Sequence, residues 1–460
     1  MMKKTYGNMM ALAAPRFLAF LLMMAVAFGS LCAQSLTLDS CKTLALRNNA
    51  EVKNAALDVE AAKETKKQAF TKYFPQVSAM AGGYYAAKPL VEYGIDDISS
   101  AAARQWLHNL YFEYGAALGL PDRLSLCENG VMVGATAVQP VFMGGQIVNG
   151  NELAKLGVTA AQLKGELTSD QIVRQVEEIY WQTVSLKEKR TTLQQALVYL
   201  DTLQRDATVA AEAGLITRND ILKVTLKQNE MRSNMLKVEN GITLSTMLLC
   251  QMIGMEYNEN VMLTDTVPDN SMVGNLSDAD VLNAVCNRKE SDLLDLQVRA
   301  EKLKKKMAIG ETSPHIMIGA TASYGNLVFD HFTANALAFA TVQVPLTGWW
   351  ETSHKIRQQN YAIQKAENER ADLMGKMALE IRQAWSNVRE AEQQVELMNT
   401  ALADAQENLN TARTNFEAGL VTVSEVLEAQ TLLLQARNHC TDAQIDLYVK
   451  NNRYSQFIKE

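Results

Sequence analysis

Residues 312–350 read TSPHIMIGATASYGNLVFDHFTANALAFATVQVPLTGWW, with Asp330 as the only acidic residue and no Lys or Arg, in a chain that is 21% charged. Ile316, Ile318, Ala320, Ala322 and Tyr324 alternate here with His315, Met317, Gly319, Thr321 and Ser323, and Ala340, Val342 and Val344 alternate with Thr341 and Gln343. Successive strand residues point to opposite faces, so two strands are expected, near 314–325 and 336–346, each with one apolar and one wet face. The pattern suits a barrel wall in lipid and equally a soluble two-faced sheet.

Beyond Pro345 the period becomes helical. Ile381, Ala384, Val388, Ala391, Val395, Met398, Leu402, Ala405, Leu409, Ala412 and Phe416 follow steps of three and four residues, a coiled-coil seam. No proline follows Pro345, and none lies between Pro140 and Pro268, so both stretches lack the strongest helix breaker. A long helix over 350–418 and a return helix over 424–460 are expected.

The same order appears earlier in the chain. At an offset of 239, Asn48 falls on Asn287, Glu51 on Glu290, Leu57 on Leu296, Pro75 on Pro314 and Tyr85 on Tyr324. At an offset of 205, Pro140 falls on Pro345, Tyr180 on Trp385, and Ala213-Gly214-Leu215-Ile216-Thr217 on Ala418-Gly419-Leu420-Val421-Thr422. The chain is thus two copies of one unit. The first covers 34–255, with strands near 75–86 and 130–141, a long helix 146–213 and a return helix 219–253. Its seam runs through Val176, Ile179, Leu186, Leu193, Leu197 and Leu200, broken by Thr183 and Arg190. An equatorial connection, 256–277, leads to the second unit, 278–460, which starts with a helix from Asp278 to Gly310. The first copy's extra residues fall between Pro89 and Glu128, where an extended loop is expected.

Lys3, Lys4 and Arg16 precede an apolar run from Phe17 to Leu31 and then Ala33, the pattern of a secretory signal peptide over 1–33. The remaining cysteines, Cys41, Cys127, Cys250, Cys286 and Cys440, are odd in number and lack metal-ligand spacing, and the five histidines are scattered. Neither a metal nor a cofactor is expected. No nucleophile elbow or phosphate loop supports catalysis. A formal net charge of −7 argues against nucleic acid as a partner.

Helices of this length rise roughly 100 Å at 1.5 Å per residue, beyond any compact domain. Four strands per chain are too few for a closed barrel, whose smallest outer-membrane forms have about eight, and lipid tolerates no open sheet edge. A cyclic trimer with twelve strands is the simplest closure.

The duplication, the proline-bounded hairpins and the paired Ala-Gly-Leu-(Ile/Val)-Thr turns lead into Asn219-Asp220-Ile221-Leu222 and Ser424-Glu425-Val426-Leu427-Glu428. In this order they resemble the TolC family of outer-membrane efflux channels. The resemblance implies a mixed α+β, mostly α fold. In it a trimeric 12-stranded transmembrane β-barrel continues into a coiled-coil α-helical periplasmic barrel. It also implies a homotrimer in outer-membrane lipid that docks to a periplasmic adaptor and an inner-membrane transporter as a passive export conduit. In the family, acidic residues matching Glu425 and Glu428 line the periplasmic entrance, and Asp220 matches a position that in some members takes part in the clamp that closes it. That clamp uses a Tyr and an Arg where this chain has Phe416 and Val421. Gly214, Leu215, Thr217, Gly419, Leu420 and Thr422 fall at the adaptor-docking tip. From the residues alone, Gly214 and Gly419 suit helix ends, and Thr217 with Asp220 and Thr422 with Glu425 suit capping boxes, so Glu425 has both a capping and a pore reading. The alternative to a channel is a periplasmic structural coiled coil; a solute porin and an enzyme are weaker readings.

Overall fold

The computed structural model describes residues 35–88, 91–115, 123–126, 129–258, 261–268, 280–326 and 332–459. The signal segment, Cys127, Glu128, Asp330 and His331 lie outside the described residues. In chain order the elements are β1 (Ser35–Leu36), α1 (Leu38–Asn48), α2 (Ala50–Thr71), β2 (Gln76–Tyr85), β3 (Val91–Gly94), α3 (Ala101–Leu110), β4 (Arg123–Leu126) and β5 (Asn129–Met143). They continue with α4 (Gln146–Glu212), α5 (Arg218–Met252), β6 (Met262–Leu263), α6 (Val281–Asn287), α7 (Lys289–Gly310), β7 (His315–Gly325), β8 (Thr333–Gln343), α8 (Gly348–Glu417) and α9 (Val423–Lys459). Among the described residues no helix is long and apolar enough to cross a membrane.

The described chain groups into two compact units. One comprises residues 35–59, 161–293 and 371–459. It is helical and holds two apolar clusters. In the first, Leu36, Cys41, Val176, Tyr180, Leu249 and Ile253 are buried together. The Tyr180 hydroxyl lies 2.8 Å from Asp265 Oδ2, which also accepts from the backbone N–H of Leu38, so this carboxylate is satisfied from two elements. In the second cluster Leu193, Leu200, Val224, Leu409, Val423 and Val426 pack under the two helix hairpins. The α8 seam is the buried face here, with Ile381, Val388, Ala391 and Val395 all nearly inaccessible. Thr183, which breaks the earlier seam, is tolerated because its hydroxyl donates to Ile179 O at 2.7 Å.

The other unit comprises residues 60–160 and 294–370. Its centre is a four-stranded antiparallel sheet in the order β2-β5-β7-β8, so each hairpin supplies one edge and one inner strand. Pro140 sits near the end of β5, where it cannot donate to the ladder, and the register slips between Pro140 and Phe142.

Two expectations need correction. The span between Pro89 and Glu128 is not an extended loop: β3 pairs with β4, and α3 stands between them. Ser100 caps α3, and Arg104 donates twice to Ile98 O, which closes this excursion on itself through local bonds that hydropathy does not display. The helix drawn from Asp278 to Gly310 is two helices, broken at Arg288. Asn49 breaks α1 from α2 at the equivalent position of the first copy, 239 residues earlier, and its side chain accepts from Glu51 N while donating to Met252 O. Both break residues carry extended ψ, 137° and 140°, which turns the chain without a proline or glycine.

Candidate functional site

The sheet carries no Asp, Glu, Lys or Arg on any of its strands. Its register fixes which residues share a face. Thr136 pairs with Thr321, and their hydroxyls lie 3.1 Å apart, so both side chains stand on one face. With them, by alternation, stand Gln76, Ser78, Thr333, Asn335, Thr341 and Gln343, and among these the apolar Met80, Met317, Leu337 and Phe339. The opposite face is apolar: Ile316, Ile318, Ala320 and Ala322 on β7, Ala334 through Val342 on alternate positions of β8, and Val77, Ala79 and Ala81 on β2. Gln139 interrupts this apolar face but turns its amide to Tyr73 O at 2.8 Å.

Aromatic side chains gather at both ends of the strands. At one end Phe70 makes edge contacts with Tyr73 and Phe74, and Trp350 is 77% exposed; at the other Tyr324 stacks on Phe332 and Tyr85 is 85% exposed. A ten-residue strand is about 33 Å long, and tilted by about 40° it spans about 25 Å, the height of the apolar band of an outer-membrane barrel.

The second part of the site is the pair of helix hairpins. Gly214 (φ 76°) ends α4 and Gly419 (φ 71°) ends α8. In each, the next residue's N–H reaches back five positions, Leu215 to Ala210 O and Leu420 to Asn415 O, while the glycine N–H bonds three back. This double bond pattern needs a left-handed residue, which glycine adopts without a Cβ clash. It leaves Leu215 and Leu420 at the two tips, 78% and 74% exposed.

Thr217 and Thr422 then start the return helices. The Asp220 carboxylate accepts from both the N–H and the hydroxyl of Thr217, at 3.2 and 2.7 Å. Glu425 does the same for Thr422, at 3.2 and 3.0 Å. The capping role of Glu425 is therefore realised. Glu428, one turn on, is exposed and makes no ion pair among the described residues. Hydrogen bonds from Thr217, and next from Lys223, hold the Asp220 carboxyl below the usual carboxylate range.

Phe416 and Val421 pack against the apolar cluster below the turns, so neither offers a polar group to a clamp. Near the turns a polar contact between the hairpins is made instead by Lys223, whose ammonium donates to Asp220 Oδ1 at 3.1 Å and to Ser424 Oγ at 2.9 Å; farther along, Ser185 and Lys189 of α4 both donate to Asp442 of α9. Lys223 was not singled out from the sequence. An acid and a lysine three residues apart on a helix, Asp220 and Lys223, were the available signal.

A family model described as "Outer membrane efflux protein" matches residues 43–255 and 297–456. The chain belongs to the outer membrane efflux protein family. Solved structures share its fold. The outer membrane protein VceC of Vibrio cholerae superposes with a TM-score of 0.70 at 14% identity, covering 91% of this chain and 95% of that one. The Campylobacter jejuni CmeC outer membrane channel gives 0.70 at 14% identity, over 90% of this chain and 83% of that one. The open state of the Neisseria gonorrhoeae MtrE outer membrane channel gives 0.71 at 12% identity, over 94% and 92%. No curated protein matches the sequence. This outer membrane efflux protein is a channel component of the outer membrane that extends into the periplasm, and the reading as a structural coiled coil without a channel is set aside.

Proposed function

We propose that three copies of this chain close one twelve-stranded barrel and together form a passive export conduit. The observation that carries this reading is the sheet: uncharged, apolar on one face and mixed on the other, where hydroxyls and amides stand among apolar residues, with β2 and β8 each presenting an unpaired edge. In lipid those edges need partners, and β8 of one copy meeting β2 of the next satisfies both. The apolar face then meets the acyl chains and the Thr136 face lines the lumen. Exposed leucines along α5, among them Leu222, Leu226 and Leu236, are further surface that neighbouring copies cover.

The hairpin pair forms the periplasmic entrance. Leu215 and Leu420 are apolar anchors for a periplasmic adaptor, with Gly214, Thr217, Gly419 and Thr422 holding their turns, and the adaptor connects the conduit to an inner-membrane transporter. Glu425 and Glu428 from three copies place six carboxylates around the axis, a cation-attracting ring, with Asp220 beside it. Glutamine at position 425 preserves the capping box and removes the charge. The experiment is therefore a crosslinking assay for trimers in detergent, followed by single-channel recording of the wild type and of Glu425→Gln/Glu428→Gln. Trimers with a cation preference that the double variant lacks support the reading. A monodisperse monomer would end the barrel assignment, and unchanged cation preference would end the role of the two glutamates.

A further inference from the structure

Where the sheet meets α2 and α4 lies a cavity of about 790 Å³, within the range of about 300–1,000 Å³ typical of small-molecule sites. Ala62, Ile147, Ala154 and Met307 give it an apolar wall. Gln76 and Pro140 line its sheet end. Gln76 pairs with Val138, two residues from Thr136 on the same strand face, so the cavity continues the Thr136 face of the sheet. Lys72 is the one charged residue among those lining it. Two lysines of the preceding helix α2 are paired within it, Lys63 with Glu60 and Lys67 with Glu64, each at 2.7 Å. Among the described residues Lys72 makes no such ion pair, and it is the single charge in a hollow whose lining is otherwise apolar except for Thr65, Gln68, Gln76, Gln146 and Asn151.

We propose that this cavity is a cargo-binding station inside the conduit and takes an amphiphilic organic carboxylate. The apolar body lies against Ala62, Ile147, Ala154 and Met307, and the carboxylate accepts from Lys72. The assignment rests on the Thr136 face being the lumen. A neutral amphiphile gains only the apolar wall. An anion also gains a charge-assisted bond, worth about tenfold in affinity or more. A cationic amphiphile meets Lys72 with like charge.

The test uses the full protein in lipid nanodiscs, with dansyl-undecanoic acid as the probe and the matching neutral alcohol for comparison, read by dansyl fluorescence. Saturable binding is expected, with the acid about tenfold tighter than the alcohol. Lys72→Met should erase that preference while the alcohol still binds. Ala154→Phe and Ala62→Phe, which fill the cavity from α4 and from α2, should each weaken both probes by about tenfold or more, with helix content checked by circular dichroism. Signals that survive both filling variants mean partition into lipid and overturn the proposal. Absence of saturable binding in protein that conducts in planar bilayers also overturns it, because a neighbouring copy then fills the hollow, and leaves the channel reading standing. Protein that neither conducts nor binds removes both.

Discussion

Ser424→Ala removes a single acceptor, the hydroxyl that receives the Lys223 ammonium across the hairpin pair at 2.9 Å, and leaves the Lys223 to Asp220 contact in place. The Lys223 side chain is 40% exposed, so water and salt screen the bond. A net contribution of about 0.5–1 kcal/mol is appropriate, roughly a two- to fivefold shift in the balance between joined and parted hairpins. In a threefold assembly whose entrance parts all at once, three such bonds break together. Their sum of about 1.5–3 kcal/mol corresponds to roughly a tenfold to 150-fold rise in the open population. Open probability in planar bilayers measures this directly. Lys223→Met should act in the same direction and more strongly, since it also removes the Asp220 ion pair. The double variant should be no more open than Lys223→Met alone. Wild-type open probability in Ser424→Ala, or strictly additive effects in the double variant, would refute Lys223 as a link between the hairpin tips.

Three further outcomes follow from the geometry. Because Asp220 has its carboxyl held low in the folded tip, its stabilisation is complete above the unfolded carboxylate range near about 3.9 and disappears as pH falls through the lower folded value. Hydrogen exchange at Thr217–Ile221, corrected for intrinsic rates, should be flat from pH 7 to 5 (roughly) and rise below about 4, and Asp220→Asn should abolish the rise. Arg288→Ala should lower the urea midpoint by an amount equivalent to about 2–3 kcal/mol, the low end for a buried ion pair because Glu290 and Glu380 are 35% and 40% exposed, and an unchanged midpoint would mean the Arg288 bonds and its stacking on Phe457 contribute nothing. Burial pushes the Cys41 thiol up to about 12, so thiol reagents at neutral pH should label exposed Cys286 and leave Cys41 unreacted until the protein unfolds.

The periodic parts of this protein were fixed by its sequence. Alternation over 315–325 requires a two-faced strand whatever surrounds it, and the step of three and four from Ile381 to Phe416 requires a helix with one buried stripe. Turn chemistry was equally local: Gly214 and Gly419 end their helices, and Thr217 and Thr422 start the next, through bonds that span five residues or fewer. Duplication did the rest, since it assigned the weakly patterned first hairpin by analogy with the second. Other features needed the folded chain. The break at Arg288 carries no proline or glycine, and at the equivalent break Asn49 is held by bonds that include Met252 O, 203 residues away. The segment from Val91 to Leu126 forms its small sheet through pairing that composition does not display. Whether Glu425 caps a helix or serves the pore was open in the sequence, because the Thr-x-x-Glu spacing permits both; the folded tip closes the cap. The Lys223 to Ser424 bond joins residues 201 positions apart, and the cavity at Lys72 joins two helices and a sheet. Contacts of that separation leave no periodic mark, so only the tertiary structure could place them.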